Sequence, residues 1–356
     1  MLNEINGIKN FLKNLDINKK RRIEYIDIAK GIAMLLIVIQ HVLTYYPQKL
    51  QVLEPFFSGF RVPVFFVLSG LFFSSYSSFK LFLIKKVNTL IIPFIFFYLT
   101  FSVFLPNFLF IIGYKGLRQV DSLGIMSIFN FIKGRGYSNN PVWFLLALFW
   151  IFIFFYGIVY ITKKSKYQDI LIVLSSILLG TLGYVIGSYK IDLILNIDNA
   201  LTAIPYFCFG YIIKMKTDLL NLNINKMIMV AIALILFYLV SLICPGIDYL
   251  GNRFPLNEYF NVYASGLFGT FGILLISKIM EKVNILKFYG RETLIILCMQ
   301  MPVIQVVHII INKFITNDVY NFVVVLIVTM CSFLFIIPII NKYIPWAAGK
   351  KALIKS

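Results

Sequence analysis

Three ionisable side chains, Asp27, Lys30 and His41, interrupt the first long apolar run of the chain. An imidazole with an ordinary pKa of about 6.5 suits a general base, and an ammonium group binds anions. At about 100° per residue, all three fall within a helical stripe about 60° wide, with His41 roughly 16 Å beyond Lys30. Such groups are costly in lipid, so the stripe predicts a polar cavity. The alternative is an interfacial Asp27–Lys30 ion pair and a His41 that bonds a neighbouring helix.

The composition of the 356-residue chain indicates a membrane protein. The chain is 60% apolar, 17% aromatic and 13% charged, against about a quarter charged in ordinary domains. This predicts an all-α polytopic protein and excludes a soluble enzyme, a disordered chain and a β-barrel. Ten spanning segments are expected, near residues 25–46, 56–76, 88–112, 142–162, 168–187, 199–213, 226–245, 258–278, 292–312 and 320–341. They form one membrane domain over 23–343, between a basic segment over 1–22 and a basic tail over 344–356.

The distribution of basic residues predicts the orientation of the chain. On a ten-span plan, 24 of the 33 Lys and Arg residues lie on the side of the N-terminus, and nine lie on the other. Basic residues concentrate in cytoplasmic loops, so both termini are expected in the cytoplasm of a multi-pass cell-membrane protein. The net charge of +18 is then an orientation signal, and the expected partner of the surface is the lipid bilayer, not nucleic acid.

The longest outer loop, 113–141, is expected either to cover a site or hold a ligand, or to serve as a solvated connector. The four cysteines fall in or beside apolar runs without CxxC spacing, at positions 208, 244, 298 and 331. They are interpreted as small apolar residues, and with only two His in the chain no metal site is expected.

Four segments, in order along this plan, carry a family resemblance. They are Asp27-x-x-Lys30-Gly31 with His41 eleven residues after the lysine, Phe60-Arg-Val-Pro-Val-Phe-Phe-Val-Leu-Ser-Gly70, Pro141-Val-Trp-Phe-Leu145, and Gly290-Arg-Glu-Thr-Leu-Ile-Ile-Leu-Cys-Met-Gln300. Together they resemble acyltransferase family 3, and most closely its fucose 4-O-acetylase-like branch. The resemblance extends from Tyr25 to about Tyr343.

The sequence departs from the family pattern at several positions. Arg61 stands where this branch often has His, and Gln300 stands where the late His is expected. Gln40 replaces a small residue before His41, and the Arg-x-x-Arg of the third span is reduced to Lys86 and Thr89. These differences leave His41 as the family-position His and indicate a different acceptor or, alternatively, an inactive enzyme.

The resemblance implies a membrane O-acyltransferase, most simply an O-acetyltransferase. It would move an acyl group from cytoplasmic acyl-coenzyme A, acetyl-CoA above all, to a hydroxyl of a cell-surface or lipid-linked glycan. In this interpretation His41 is the catalytic base, Lys30 attracts the donor and Asp27 orients it. The remaining candidates divide by side: Lys85, Lys86 and Arg291 for donor phosphates, and Arg61, Trp143, Glu258 and Gln300 for the acceptor. For Arg61 the acceptor group is either a sugar hydroxyl or an acidic sugar.

Several of these candidates have a simpler interpretation, as does the second histidine. The basic residues can serve topology alone, Trp143 can be an interfacial anchor, Arg61 can pair with Glu54, and His308 is expected to bond a helix neighbour or the outer interface.

Two other functions fit the same pattern. A non-enzymatic exporter or flippase of glycan or acyl groups would also need many spans and a charged stripe. An inactive subunit of a glycan-synthesis complex would explain the missing histidines. Release of free coenzyme A in proportion to the modified acceptor separates an enzyme from a transporter. Partners recovered by pull-down, with no loss of acylation on mutating His41, would favour the inactive subunit.

Overall fold

The computed structural model describes residues 23–47, 50–52, 54–74, 78–111, 130–134, 139–216 and 225–355. Within these ranges the chain is helical, and its strand-like pairing is a single isolated bridge between Asp248 and Arg253. The segment 1–22 and most of the outer loop 113–141, for which roles were expected, lie outside the described residues.

Twelve helices organise the described part of the chain. They are α1 (Glu24–Leu43), α2 (Glu54–Ser58), α3 (Pro63–Leu71), α4 (79–111), α5 (Trp143–Thr162), α6 (Gln168–Ser188), α7 (Ile197–Lys216), α8 (Lys226–Ile243), α9 (Tyr259–Ile279), α10 (Asn284–Arg291), α11 (Thr293–Ile311) and α12 (Asp318–Tyr343). Helix α4 contains two π-helical turns, Val87–Ile91 and Leu99–Phe104.

Eight of these helices are long and apolar enough to cross a membrane, namely α1, α4, α5, α6, α8, α9, α11 and α12. The all-α polytopic fold is therefore confirmed. The third segment begins at Phe79, nine residues before the predicted start.

The second and sixth predicted segments differ from simple spans. In place of the second predicted segment, residues 54–71 form two short helices, α2 and α3, because the chain turns at 59–62 and restarts with Pro63 in the first turn of α3. Proline suits that position because its missing N–H has no helical acceptor there. Helix α7 is 20 residues long but carries buried polar side chains, Asp198, Asn199 and Thr202, near its start.

Helices α3 and α7 touch through their backbones. A Cβ at Gly70 would overlap the carbonyl oxygen of Phe207, and a Cβ at Gly210 would overlap that of Val67. Small residues allow such close crossings in membrane bundles. Val67 and Phe207 are fully buried, so α3 and α7 lie in the interior of the bundle. This position explains why their sequences differ from those of lipid-facing spans.

The residues after α12 pack onto α4. The side chain of Asn88 donates to the carbonyl of Ile354 at 2.9 Å and accepts from the N–H groups of Leu353 and Ile354 at 2.7 and 3.0 Å. Trp346 packs edge-on against Phe96, with ring centroids 4.9 Å apart. The basic tail is thus bound to the helical domain over its described length.

Candidate active site

A cavity of about 570 Å³ lies between α1, α3, α5, α11 and the loop before α9. Its polar lining comes from Lys30, Gln40, His41, Glu54, Arg61, Ser69, Asn140, Trp143, Asp248, Tyr249 and Thr293. Apolar side chains such as Phe65, Phe144 and Leu297 complete the wall. A largely apolar chamber with a few convergent polar groups is the usual form of a small-molecule site.

The cavity follows the axis of α1. Lys30 and His41 both line it and are separated by about 16 Å of helix. Thr293, at the start of α11, belongs to the Lys30 end, next to the α10 residues that contact the start of α1. The His41 end is closed by Glu54, Arg61 and the 246–250 loop. Two hydrogen bonds hold these segments in place. The side chain of Gln51 donates to the carbonyl of Leu43 at the end of α1, and the N–H of Ile247 donates to the hydroxyl of Ser58.

Asp27 does not share this cavity with the other two residues of the stripe. Its carboxylate is nearly buried and accepts from Nε of Arg291 at 3.1 Å. Lys30 faces the cavity, with its Nζ 5.1 Å from the centre of the Phe72 ring. The expectation of a common cavity therefore holds for Lys30 and His41, while Asp27 fixes the end of α10 against α1.

Two glycines of the family-like motifs make that contact possible. A Cβ at Gly290 would overlap the carbonyl oxygen of Asp27, and a Cβ at Gly31 would overlap that of Leu286. Helices α1 and α10 therefore touch backbone to backbone, and this places Arg291 at the Asp27 carboxylate. The glycine of each motif, Asp-x-x-Lys-Gly or Gly-Arg-Glu, therefore contacts the helix that carries the other motif.

We expect Gly290→Ala to destabilise the protein by about 1–3 kcal/mol, because the added methyl group meets rigid backbone and α10 must move. The matched control is Gly157→Ala in the middle of α5, where a Cβ meets nothing within 4 Å. This control should be neutral or slightly stabilising, as alanine is the better helix former. Thermal unfolding in detergent, followed by size-exclusion chromatography, measures both variants. Equal melting temperatures for the two would show that the α1–α10 contact is not tight.

Arg61 lies at the other end of the cavity, in the turn between α2 and α3. Its Nη2 donates to Oε1 of Glu54 at 2.8 Å, the pairing foreseen as one alternative for this residue. The arginine is 8% exposed, and its Nη1 has no hydrogen-bond partner among the described residues. Part of a buried guanidinium is therefore left to bind something else.

The other acceptor candidates are divided between the cavity and its surroundings. Trp143 is buried and lines the cavity. Gln300 is fully buried behind the wall, where its amide donates to the carbonyl of Leu297 at 3.3 Å. Glu258 precedes α9 and accepts from the side chain of Asn261, away from the cavity lining.

The donor candidates on α4 also lie outside the cavity wall. Lys86 is half-buried, and its Nζ lies 3.1 Å from the centre of the Phe152 ring. Lys85 is exposed one residue earlier. The buried Asn88 that binds the tail follows them by one turn or less, so the tail lies beside this basic pair.

The second histidine is part of the helix packing. The ring of His308 lies 4.6 Å from that of Tyr45 and 5.7 Å from that of Tyr46. Tyr46 in turn donates to Oδ1 of Asn321 at 2.6 Å. His308 therefore joins α11 to the end of α1 and is not part of the cavity lining.

Sequence reasoning missed the 246–250 loop as part of the site. Tyr249 lines the cavity and its hydroxyl lies 3.0 Å from that of Tyr206, which donates to the carbonyl of Val262. Since Tyr206 uses its proton there, Tyr249 is the donor of the pair and keeps an acceptor lone pair. Burial raises the pKa of Tyr249, so the phenol stays neutral. The available signal was the Pro-Gly turn at 245–246, with Gly246 at φ 73°.

Among the described residues, no group of three or more His, Cys, Asp or Glu side chains is placed to hold a metal ion.

Comparison with known proteins gives one match. A family model described as the acyltransferase domain of acyltransferase family 3 matches residues 23–341. No curated protein and no solved structure matches the chain significantly.

Proposed function

The chain belongs to acyltransferase family 3, and on this basis we propose that it is a membrane O-acyltransferase acting on glycans. It takes an acyl group, acetyl in the simplest case, from acyl-coenzyme A on the cytoplasmic side. It places that group on a hydroxyl of a cell-surface or lipid-linked sugar on the other side of a bacterial plasma membrane.

The observation that carries this proposal is the continuity of the cavity. A cation near one end, a histidine about 16 Å further along the same helix, and a buried arginine–carboxylate pair beyond it line a single space. A donor and an acceptor that approach from opposite faces of a membrane need such a space. Its length allows the acyl carbon and the sugar hydroxyl to meet beside His41.

His41 is the base in the proposed reaction. It accepts the proton of the sugar hydroxyl as that oxygen attacks the thioester carbonyl carbon. The imidazolium then returns the proton to the sulfur when the carbon–sulfur bond breaks, so the products are a sugar ester and free coenzyme A. A positioned base of this kind contributes about 10²–10⁴ in rate.

Lys30 and the residues around Asp27 serve the donor in this proposal. Lys30 presents its charge to the cavity and binds a phosphate of the donor. The Asp27–Arg291 pair holds α10 at this end, so Arg291 positions the donor mouth even while it is bound to Asp27. Lys85 and Lys86 add positive charge outside the wall.

The acceptor half of the proposal rests on Arg61, Trp143 and Tyr249, which share the His41 end of the cavity. An aromatic face suits the apolar face of a sugar ring, and the guanidinium and phenol suit its hydroxyl groups. Gln300 and Glu258 act from outside the lining, Gln300 by supporting the wall at Leu297.

The test of the function is the stoichiometry of thiol release. Purified protein in nanodiscs is given acetyl-CoA and the surface glycan of the host, free thiol is titrated, and the ester is counted by mass spectrometry. One thiol per ester supports the enzyme. An exporter or flippase would release none, and an inactive subunit would make no ester.

A separate prediction concerns the donor. Replacing Lys85 and Lys86 together by Ala should raise the apparent KM for acetyl-CoA, because each charge-assisted phosphate bond contributes about 1.5–3 kcal/mol. The KM for the acceptor should stay nearly unchanged. Steady-state kinetics at matched protein level measure both constants, with Lys163→Ala and Lys164→Ala beyond α5 as the control pair. Unchanged donor kinetics in the α4 variant would place the donor phosphates elsewhere.

A further inference from the structure

From the charges at the His41 end of the cavity, we infer that the site selects an uncharged sugar acceptor and rejects an acidic one. This inference rests on the proposed function and names its substrate class. It depends on three ionised side chains that line this end, Arg61, Glu54 and Asp248.

The Arg61 guanidinium is bound on one edge only. Nη2 donates to Glu54 at 2.8 Å, with the two side chains 10% and 29% exposed. Nη1 is buried and lacks a hydrogen-bond partner among the described residues. A buried donor without an acceptor is costly, so a ligand oxygen that reaches Nη1 binds favourably.

Among the described side chains that line this end, the two carboxylates outnumber the single cation, Arg61. Glu54 already neutralises Arg61, and Asp248 adds a second carboxylate to the same end, where its Oδ1 accepts from the N–H of Gly251 at 2.9 Å. Arg253, from the same loop, is paired with Asp192 at 2.6 Å and is not part of the lining. Lys30 is separated from His41 by about 16 Å of helix, so its charge acts on this end more weakly than those of Glu54 and Asp248.

These features distinguish between two kinds of sugar. A hydroxyl or ring oxygen accepts from Nη1 without adding charge. A carboxylate also accepts, but it adds a third carboxylate to the end of the cavity that Glu54 and Asp248 line, and like charges at close range repel each other. Specificity of this kind arises from repulsion of the wrong ligand as much as from attraction of the right one.

The test compares methyl glucoside with methyl glucuronide, which differ at C6 alone. Binding of each to the protein in nanodiscs is measured by calorimetry, and acetyl transfer to each is followed with acetyl-CoA by thiol release. The wild-type protein should favour the glucoside on the order of tenfold in affinity or in kcat/KM, as expected for juxtaposed like charges.

Two variants locate the origin of the preference. Glu54→Gln removes the charge but keeps an oxygen for Arg61, so glucuronide binding should rise and the preference should fall to near unity. Asp248→Asn, at an exposed position, keeps the bond to Gly251 and should shift the ratio in the same direction by a smaller factor. The asparagine variant provides the result if the glutamine variant folds poorly.

A preference for the glucuronide, equal binding of the two glycosides, or no binding of either would overturn the inference. A ratio unchanged in both variants would overturn it as well. Failure of the proposed function has a different signature, namely no thiol release with the host's own glycan, whichever methyl glycoside binds better.

Discussion

His41→Gln should lower the rate of acyl transfer by about 10²-fold or more while coenzyme A still binds. Glutamine keeps a hydrogen-bonding group in the half-buried position but cannot take the proton of a sugar hydroxyl. The substitution therefore separates a base from a structural residue. The readout is glycan ester content at matched membrane protein level, together with the affinity for coenzyme A.

The matched control for this experiment is His308→Gln. His308 packs between the rings of Tyr45 and Tyr46, outside the cavity, so its loss should affect stability more than turnover. If the His41 variant acylates at the wild-type rate, His41 is structural. If both variants lose activity and expression equally, the effect is one of folding and His41 has no special role.

Lys30→Met should reduce kcat/KM for the acyl donor by a factor of about 10–150, the equivalent of one charge-assisted hydrogen bond of roughly 1.5–3 kcal/mol. Methionine keeps the length of the side chain and its contact with the Phe72 ring, but it removes the charge that faces the cavity. The acceptor KM should change much less, because Lys30 lies at the opposite end from Arg61.

Lys30→Arg provides the complementary variant. An arginine retains the positive charge at this position and should restore most of the donor affinity. Steady-state kinetics with acetyl-CoA as the varied substrate test the series. If the two variants lose activity equally and the donor KM is unchanged in both, Lys30 serves packing and does not bind the donor.

The fold was predictable from the sequence because lipid imposes a simple rule. Eight helices have the length and hydropathy that spanning a bilayer requires. The rule fails where a segment is stabilised by contacts with the rest of the protein. The α2–α3 turn has the Arg61–Glu54 pair, and the polar start of α7 has the bond from Thr202 to Asn252 at 3.0 Å. Pro63 signalled the break between α2 and α3, since proline favours the first turn of a helix.

The site was predictable in part, for a physical reason. Lys30 and His41 share one helix, so periodicity alone places them on the same face. The Asp27–Arg291 pair joins residues 264 positions apart, and helical periodicity carries no information about such pairing. Glu54 and the 246–250 loop likewise reach the cavity through tertiary contacts, such as the bond from Ile247 N–H to Ser58.

The most direct test of the proposed transfer across the membrane uses oriented vesicles from cells that make the host glycan. Acetyl-CoA with a labelled acetyl group does not cross membranes. It is added to the external medium of two preparations, inside-out vesicles and right-side-out vesicles. If both termini are cytoplasmic and the cavity joins the two faces, inside-out vesicles should carry labelled ester on their lumenal glycan and release one thiol per ester outside. Right-side-out vesicles, and inside-out vesicles with His41→Gln, should form almost none. Ester formation in right-side-out vesicles alone, or labelled glycan without thiol release, would contradict acyl transfer through this cavity.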